Sequence, residues 1–254
     1  MIKKVLKSIF STLGYSLTKK PAYVPTQFRA HGFDYAPIKP IASYAPWISD
    51  KAFTDVYTII QNDTLVDIYR CYELWEIAEA IHHLDNNAAF IEIGVWRGGT
   101  AAIAGYKLKA LNAQVNFYIA DTFTGVVKAT EKDSYYKGGE HSDTSLEYVE
   151  SALKDKYDHY KILQGVFPEE TSHLILPGKK FGYCHIDVDV YQSVKDIVEW
   201  IWDKMIDGGV IVFDDYGFYG CNGVTQYVNE QKKLTDRHII HNLNGHAVMI
   251  KIKK

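Results

Sequence analysis

Five short apolar runs in this 254-residue chain lead into EIGVWRGGT, ADTFTG, LQGVF, HIDVDVY and FDDYG, and four of the five carry Glu or Asp in the run or just past it. A carboxylate buried in a sheet must be paired or must bind something, because its charge is costly to desolvate. The acids in question are Glu92, Asp121, Asp187 with Asp189, and Asp214 with Asp215. Each also has a plainer reading, since aspartates at strand ends cap helices and form turns. Beside Glu92, the glycines Gly94, Gly98 and Gly99 either make a tight turn or let a ligand approach backbone amides at a helix start, where negative charge is favoured. Their spacing does not match G-x-G-x-x-G, which argues against a nicotinamide dinucleotide. Asp121, closing the second run, is placed to accept both hydroxyls of a ribose, as such an acid does in nucleotide-binding α/β folds. His185 alternates onto the same strand face as Asp187, either to orient it or as a buried, hydrogen-bonded histidine.

The segments between these runs have helical spacing. TLVDIYRCYELWEIAEAIHHLD places Leu65, Ile68, Tyr72, Leu74, Trp75, Ile77 and Ala78 at helical intervals, and regular structure is expected from Thr64 onward. GTAAIAGYKLKAL, SLEYVESALKDKY and VKDIVEWIWDKM continue the alternation of helix and strand. That order implies βαβ units and a parallel sheet with right-handed crossovers. After Asp215 a helix near Gly223 to Lys232 precedes RHIIHN and HAVMIKI, joined by a short LNG turn, which predicts an antiparallel hairpin on the sheet edge. In an open parallel sheet, ligands bind outside the carboxyl ends of the strands, which is where the acids fall.

Composition narrows the partners. With 47% hydrophobic residues the chain can bury one sizeable core, and a formal net charge of -3 without a basic face argues against nucleic acid and for a small molecule. Cys71, Cys184 and Cys221 have no paired spacing, so neither a disulfide framework nor a zinc site is expected, and a reducing cytoplasm fits. Residues 1–20 carry five lysines, with Ile2, Val5, Leu6, Ile9 and Phe10 on one side of a helix. This basic amphipathic helix suits attachment to the inner membrane face, or packing on the domain or on a second subunit in a homo-oligomer. Its apolar run is too broken for a signal peptide or a membrane span. Prolines 21, 25, 37, 40 and 46 then read as an irregular connector, so the expected division is residues 1–50 and a catalytic domain over 51–254.

EIGVWRGGT, DTFTG, HIDVDVY and GGVIVFDDYG, in this order and spacing, resemble the macrocin O-methyltransferase family from about Thr64 to Glu230, the last two motifs being the most specific. The resemblance implies an α/β fold of the class I methyltransferase type, a Rossmann-like three-layer sandwich whose seven-stranded, mostly parallel sheet has an antiparallel last strand. It implies an S-adenosyl-L-methionine-dependent, metal-dependent sugar O-methyltransferase. By that likeness Glu92 and Gly94 lie beside the methionine part of the donor, Asp121 holds the ribose, and Gln164 to Phe167 lie near the adenine. Arg97, Thr100, Thr122, Phe123, Gly165 and Asp187 complete the implied donor contacts. Asp187, Asp214 and Asp215 are the implied ligands of Mg2+ or another divalent cation. A hard cation of this kind takes oxygen ligands, orients the acceptor hydroxyl and acidifies it. Asp187 or Asp189 then takes the proton, with His185 as a further candidate. Where relatives often have an acid and a proline after the DTF stretch, this chain has Thr124, Val126 and Lys128, so the acceptor side is expected to differ.

TGVVKATEKDSYYKGGEHSD, residues 124–143, is too long for an ordinary connection and reads as an active-site lid that carries His141 and Asp143. Trp96, Trp200 and Trp202 read as packing residues. Two other functions remain open from the sequence: methylation of a catechol-like or phosphate-linked oxygen, and a non-catalytic nucleotide-binding module of the same fold.

Overall fold

The computed structural model describes residues 27–38 and 42–253, and the chain divides into a unit Met1–Ile41 and a unit Ala42–Lys254. The amphipathic helix expected over residues 1–20 lies outside the described residues. In the first unit, β1 (Phe28–Ala30) pairs antiparallel with β2 (Phe33–Tyr35), so the stretch expected to be irregular contains a hairpin. Gly32 turns it at φ +83°, a conformation open to glycine at no steric cost.

The second unit builds α1 (Lys51–Ile60), α2 (Ile68–Leu84), β3 (Ala89–Ile93), α3 (Gly99–Ala110), β4 (Phe117–Asp121), α4 (Leu146–Leu153), β5 (Tyr160–Gln164), β6 (Phe181–Ile186), α5 (Tyr191–Ile201), β7 (Met205–Phe213), α6 (Asn222–Gln231), β8 (Arg237–His241) and β9 (Ala247–Lys251). The seven strands run in the order β5-β4-β3-β6-β7-β9-β8. β3 to β7 are parallel, and β9 is antiparallel to both its neighbours, β7 and β8. The terminal hairpin is therefore as expected, with its second strand inserted inside the edge.

Alternation of side chains assigns the two faces. Ile91, Ile93, Ile186, Ile211 and Phe213 pack with Val194 and Ile197 of α5 and Val224 and Tyr227 of α6. Phe90, Ile119, Tyr183 and Val212 pack with Leu74 and Ala78 of α2, Leu108 of α3 and Val149 of α4. Helices thus cover both faces, which explains why these strands read as continuous apolar runs.

Helix α1 was not expected. Its Asp50 cap accepts the Phe53 N–H at 3.0 Å, and Phe53, Val56 and Ile60 bury against Trp75 and Ile103. The Thr64 start for the next helix is also corrected. The Asp67 carboxylate accepts the Tyr69 and Arg70 amides at 2.9 and 3.1 Å and begins α2 at Ile68, leaving 61–66 as a loop. Among the described residues no helix is long and apolar enough to cross a membrane.

Candidate active site

The carboxyl ends of β3 to β7 open into one cavity of about 320 Å³, lined by Gly94, Asp121, Thr122, Gly165, Phe167, Asp187, Asp189, Asp214 and Asp215 among others. Gly94 sets its floor. At φ +81° its Cα faces the neighbouring chain so closely that a Cβ would lie 1.8 Å from the Asp187 carbonyl oxygen. The ladder continues past the strands at this point, with Gly94 N–H donating to Ala120 O and Asp187 N–H donating to Ile93 O, both at 2.9 Å. Asp121 at the end of β4 and Asp187 past the end of β6 are thereby brought level with Gly94.

On the β4 side, Asp121 organises the glycine loop. Its Oδ2 accepts the Val95 and Trp96 amides at 2.8 and 2.9 Å, and its Oδ1 accepts the Phe123 amide at 2.7 Å. A carboxylate has about four acceptor directions, so three backbone donors leave room for one hydroxyl rather than the two expected. Gly165, Val166 and Phe167 line the same side of the cavity, whereas the Gln164 side chain is exposed. Thr100 reaches the cavity wall and donates to Glu92 Oε1 at 2.6 Å. Glu92 itself is wholly buried below the wall, and Phe123 is half-buried against the core on the α2 side of the sheet. Arg97 turns outward and binds Asp143 Oδ2 at 2.7 Å.

The acidic centre forms at the ends of β6 and β7. Single oxygens of Asp187, Asp214 and Asp215 lie within 4.8 Å of one another. Burial and the neighbouring Asp214, Asp215 and Asp189 charges push the Asp187 carboxyl well above the usual range, and burial with Asp189 and Asp214 does the same for Asp215. Asp189 is raised as well, chiefly by burial. Asp214 behaves in the opposite way. Burial works against its charge, but the nearby nitrogens of His185 and His246 and the Arg70 guanidinium outweigh it and hold the carboxyl below the usual range. Arg70 Nη1 donates to Asp214 Oδ2, while His246 Nε2 lies 2.8 Å and His185 Nε2 3.6 Å from Oδ1.

His185 does not enter the cavity. Register places it beside Glu92 on β3 and Val212 on β7, on the α2 face of the sheet, with Nδ1 3.5 Å from Glu92 Oε2. Burial opposes its charge, yet the two flanking carboxylates outweigh burial and push its pKa up to about 9. It is a buried counter-charge beneath Asp214, held by ion-pair distances to Glu92 and Asp214 rather than by the hydrogen bonds expected of a buried histidine.

This donor set suits a hard divalent cation. It is all oxygen, and among the described residues none donates a hydrogen bond to the Asp187 carboxylate. One guanidinium set against crowded carboxylates leaves the raised Asp187 and Asp215 under-neutralised, a condition a bound cation relieves. Arg70 and His246 were missed by sequence reasoning. Arg70 was legible, because it shares the buried face of α2 with Leu74, Ala78 and Ile81, and an arginine on an apolar stripe calls for a carboxylate partner. His246 carried no local signal.

The segment 124–143 covers the cavity, with Tyr136 and His141 on its wall and Tyr136 Oη 3.4 Å from His141 Nε2. Its middle is pinned. Asp133, 2% exposed, accepts the Tyr191 N–H at 2.9 Å and so caps α5, whose own preceding residue Val190 makes no side-chain cap. Asn222 accepts the Ser134 N–H and donates to Lys132 O. Farther out, Asp143 is held by Trp96 Nε1 and Arg97, and Val126 pairs with Gly139 and Glu140. Hydrogen exchange is therefore expected to be slow at Tyr191 with or without ligand, and to slow further at Val126 and Gly139, whose bonds lie within the segment itself, when donor and acceptor are bound. Equal protection at Val126 and Gly139 in both states would exclude a closing lid.

Strand order, the single antiparallel strand and helices on both faces define the class I methyltransferase fold. The O-methyltransferase NovP shares it at a TM-score of 0.64 and 21% identity, over 76% of this chain and 83% of that one. Residues 55–251 match the macrocin-O-methyltransferase (TylF) family, and the chain belongs to it. It is 25% identical over 160 residues to the mycinamicin III 3''-O-methyltransferase of Micromonospora griseorubida, covering 58% of this chain and 62% of that protein. It is 26% identical over 173 residues to an 8-demethyl-8-(2,3-dimethoxy-alpha-L-rhamnosyl)-tetracenomycin-C 4'-O-methyltransferase of Streptomyces olivaceus, covering 62% of this chain and 64% of the relative. The chain spans somewhat under two thirds of the length of these curated relatives.

Proposed function

We propose that this protein transfers the methyl group of S-adenosyl-L-methionine to a hydroxyl of a sugar or glycoside, with a divalent cation held by Asp187, Asp214 and Asp215. The observation that carries the reading is that Asp121, at the end of β4, and the acidic trio, at the ends of β6 and β7, line one cavity, with β3 between them; on this reading the first accepts a ribose hydroxyl and the second holds the cation. Family membership and the sugar-directed names of the relatives support the acceptor class. When bound, the cation would orient the acceptor hydroxyl and lower its pKa. The cavity walls hold donor and acceptor in line. Asp189, buried beside Tyr136 and His141, takes the hydroxyl proton as the new carbon–oxygen bond forms and the carbon–sulfur bond breaks.

Labelled methyl donor offered with glycosides, sugar nucleotides and catechols tests the acceptor: incorporation into sugar hydroxyls is expected, and incorporation only into catechol or phosphate-linked oxygens would replace this reading. The donor half is tested separately. S-adenosylhomocysteine at 100 times its Kd should stabilise the native state by about 2.7 kcal/mol. Asp121→Asn should reduce that gain sharply, because an amide presents hydrogens where the loop amides and the ribose need an acceptor. An unchanged melting shift in folded Asp121→Asn would remove the ribose assignment.

A further inference from the structure

We infer that Glu73 and His246 are positioning residues for the Asp214 carboxylate, fixing the orientation in which it meets the cation; this rests on the cation reading above. His246 is fully buried, with Nε2 2.8 Å from Asp214 Oδ1 and Nδ1 2.8 Å from Glu73 Oε2. Glu73 is itself tied down, accepting from the side-chain amides of Asn242 and Asn244 in the β8–β9 turn. It lies one helical turn from Arg70, which holds the other Asp214 oxygen. Both Asp214 oxygens are thus engaged from opposite sides, so the carboxyl plane cannot rotate and about one acceptor direction per oxygen remains for a cation.

A merely structural tie between α2 and the hairpin would not call for this arrangement. Buried charged networks stabilise little compared with apolar packing of the same volume, and this one runs on from the hairpin turn through His246 to a proposed ligand. Partners that hold ligating carboxylates typically set metal affinity within a factor of roughly 10–100.

The test is manganese binding followed by electron paramagnetic resonance, with melting curves and S-adenosylhomocysteine affinity in parallel. Glu73→Gln and His246→Leu are expected to weaken manganese binding by roughly 10–100-fold and to leave donor-analogue affinity unchanged. His246→Gln, which keeps a donor toward Asp214, should fall between them and the unmutated protein. Asn244→Ala, at the outer side of Glu73, supplies a milder variant should His246→Leu fail to fold. Unmutated manganese affinity in the folded variants would overturn the positioning role alone. Absence of manganese binding in the unmutated protein would overturn the cation reading and this inference with it.

Discussion

Asp215→Asn and Asp187→Asn are expected to lose methyl transfer by roughly 10³-fold, about 4 kcal/mol of transition-state stabilisation, while S-adenosylhomocysteine binds as before. The substitution keeps size and one oxygen but removes charge that offsets dehydration of a small divalent ion. These two positions are the informative ones because their carboxylates sit crowded and raised at the cavity. Asp214 is a poorer probe: its carboxylate is bound by the Arg70 guanidinium and lies 2.8 Å from His246 Nε2, so Asp214→Asn strands a buried guanidinium and should cost about 3–5 kcal/mol of stability on its own. Turnover against magnesium concentration separates the cases. Excess magnesium should recover part of the activity of Asp215→Asn by refilling a weakened site. Full activity of the unmutated protein after exhaustive chelation would end the cation assignment.

Gly94→Ala is expected to be the most damaging single methyl in the protein. Its Cβ would lie 1.8 Å from the Asp187 carbonyl oxygen, a backbone atom that cannot rotate away, and φ +81° is itself unfavourable for alanine. Either β3 and β6 separate at their carboxyl ends or the loop bearing Asp187 shifts. A loss of about 4 kcal/mol or more should lower the melting temperature by roughly 8–16 °C. Gly32→Ala is the control, since it shares a positive φ but meets nothing within 4 Å. Equal melting temperatures for the two variants would show that the close approach does not limit stability.

The parallel sheet was legible because its strands are short apolar runs separated by helical spacing, and both signals are local. The acids of the site were legible for the same reason: they sit at run ends, where a buried charge is conspicuous. Helix α1 escaped because KAFTDVYTII is rich in β-branched and aromatic residues, and its buried stripe is set by packing on Trp75 and Ile103 rather than by composition. The inward turn of Glu92 and His185 followed from strand parity, which pairs them with Phe90 and Tyr183 on the α2 face, but only the register of β3 against β6 shows that they face each other. His246 could not have been found, since it reaches Asp214 across 32 residues of sequence through a hairpin whose docking on α2 is a tertiary event.

The cap that Asp133 supplies to α5 limits how this protein could be re-engineered by loop exchange. Because a Cβ at Gly223 would fall 1.9 Å from Asp133 Oδ1, the aspartate and the glycine form a lock and key between the covering segment and α6. A foreign segment spliced between residues 124 and 143 would have to bring its own acid at the central position or leave the first turn of α5 uncapped. Variation is better tolerated in the two arcs on either side of that pin, and a library confined to them would sample new pocket shapes without loosening the helix that begins right after Asp189 and Val190.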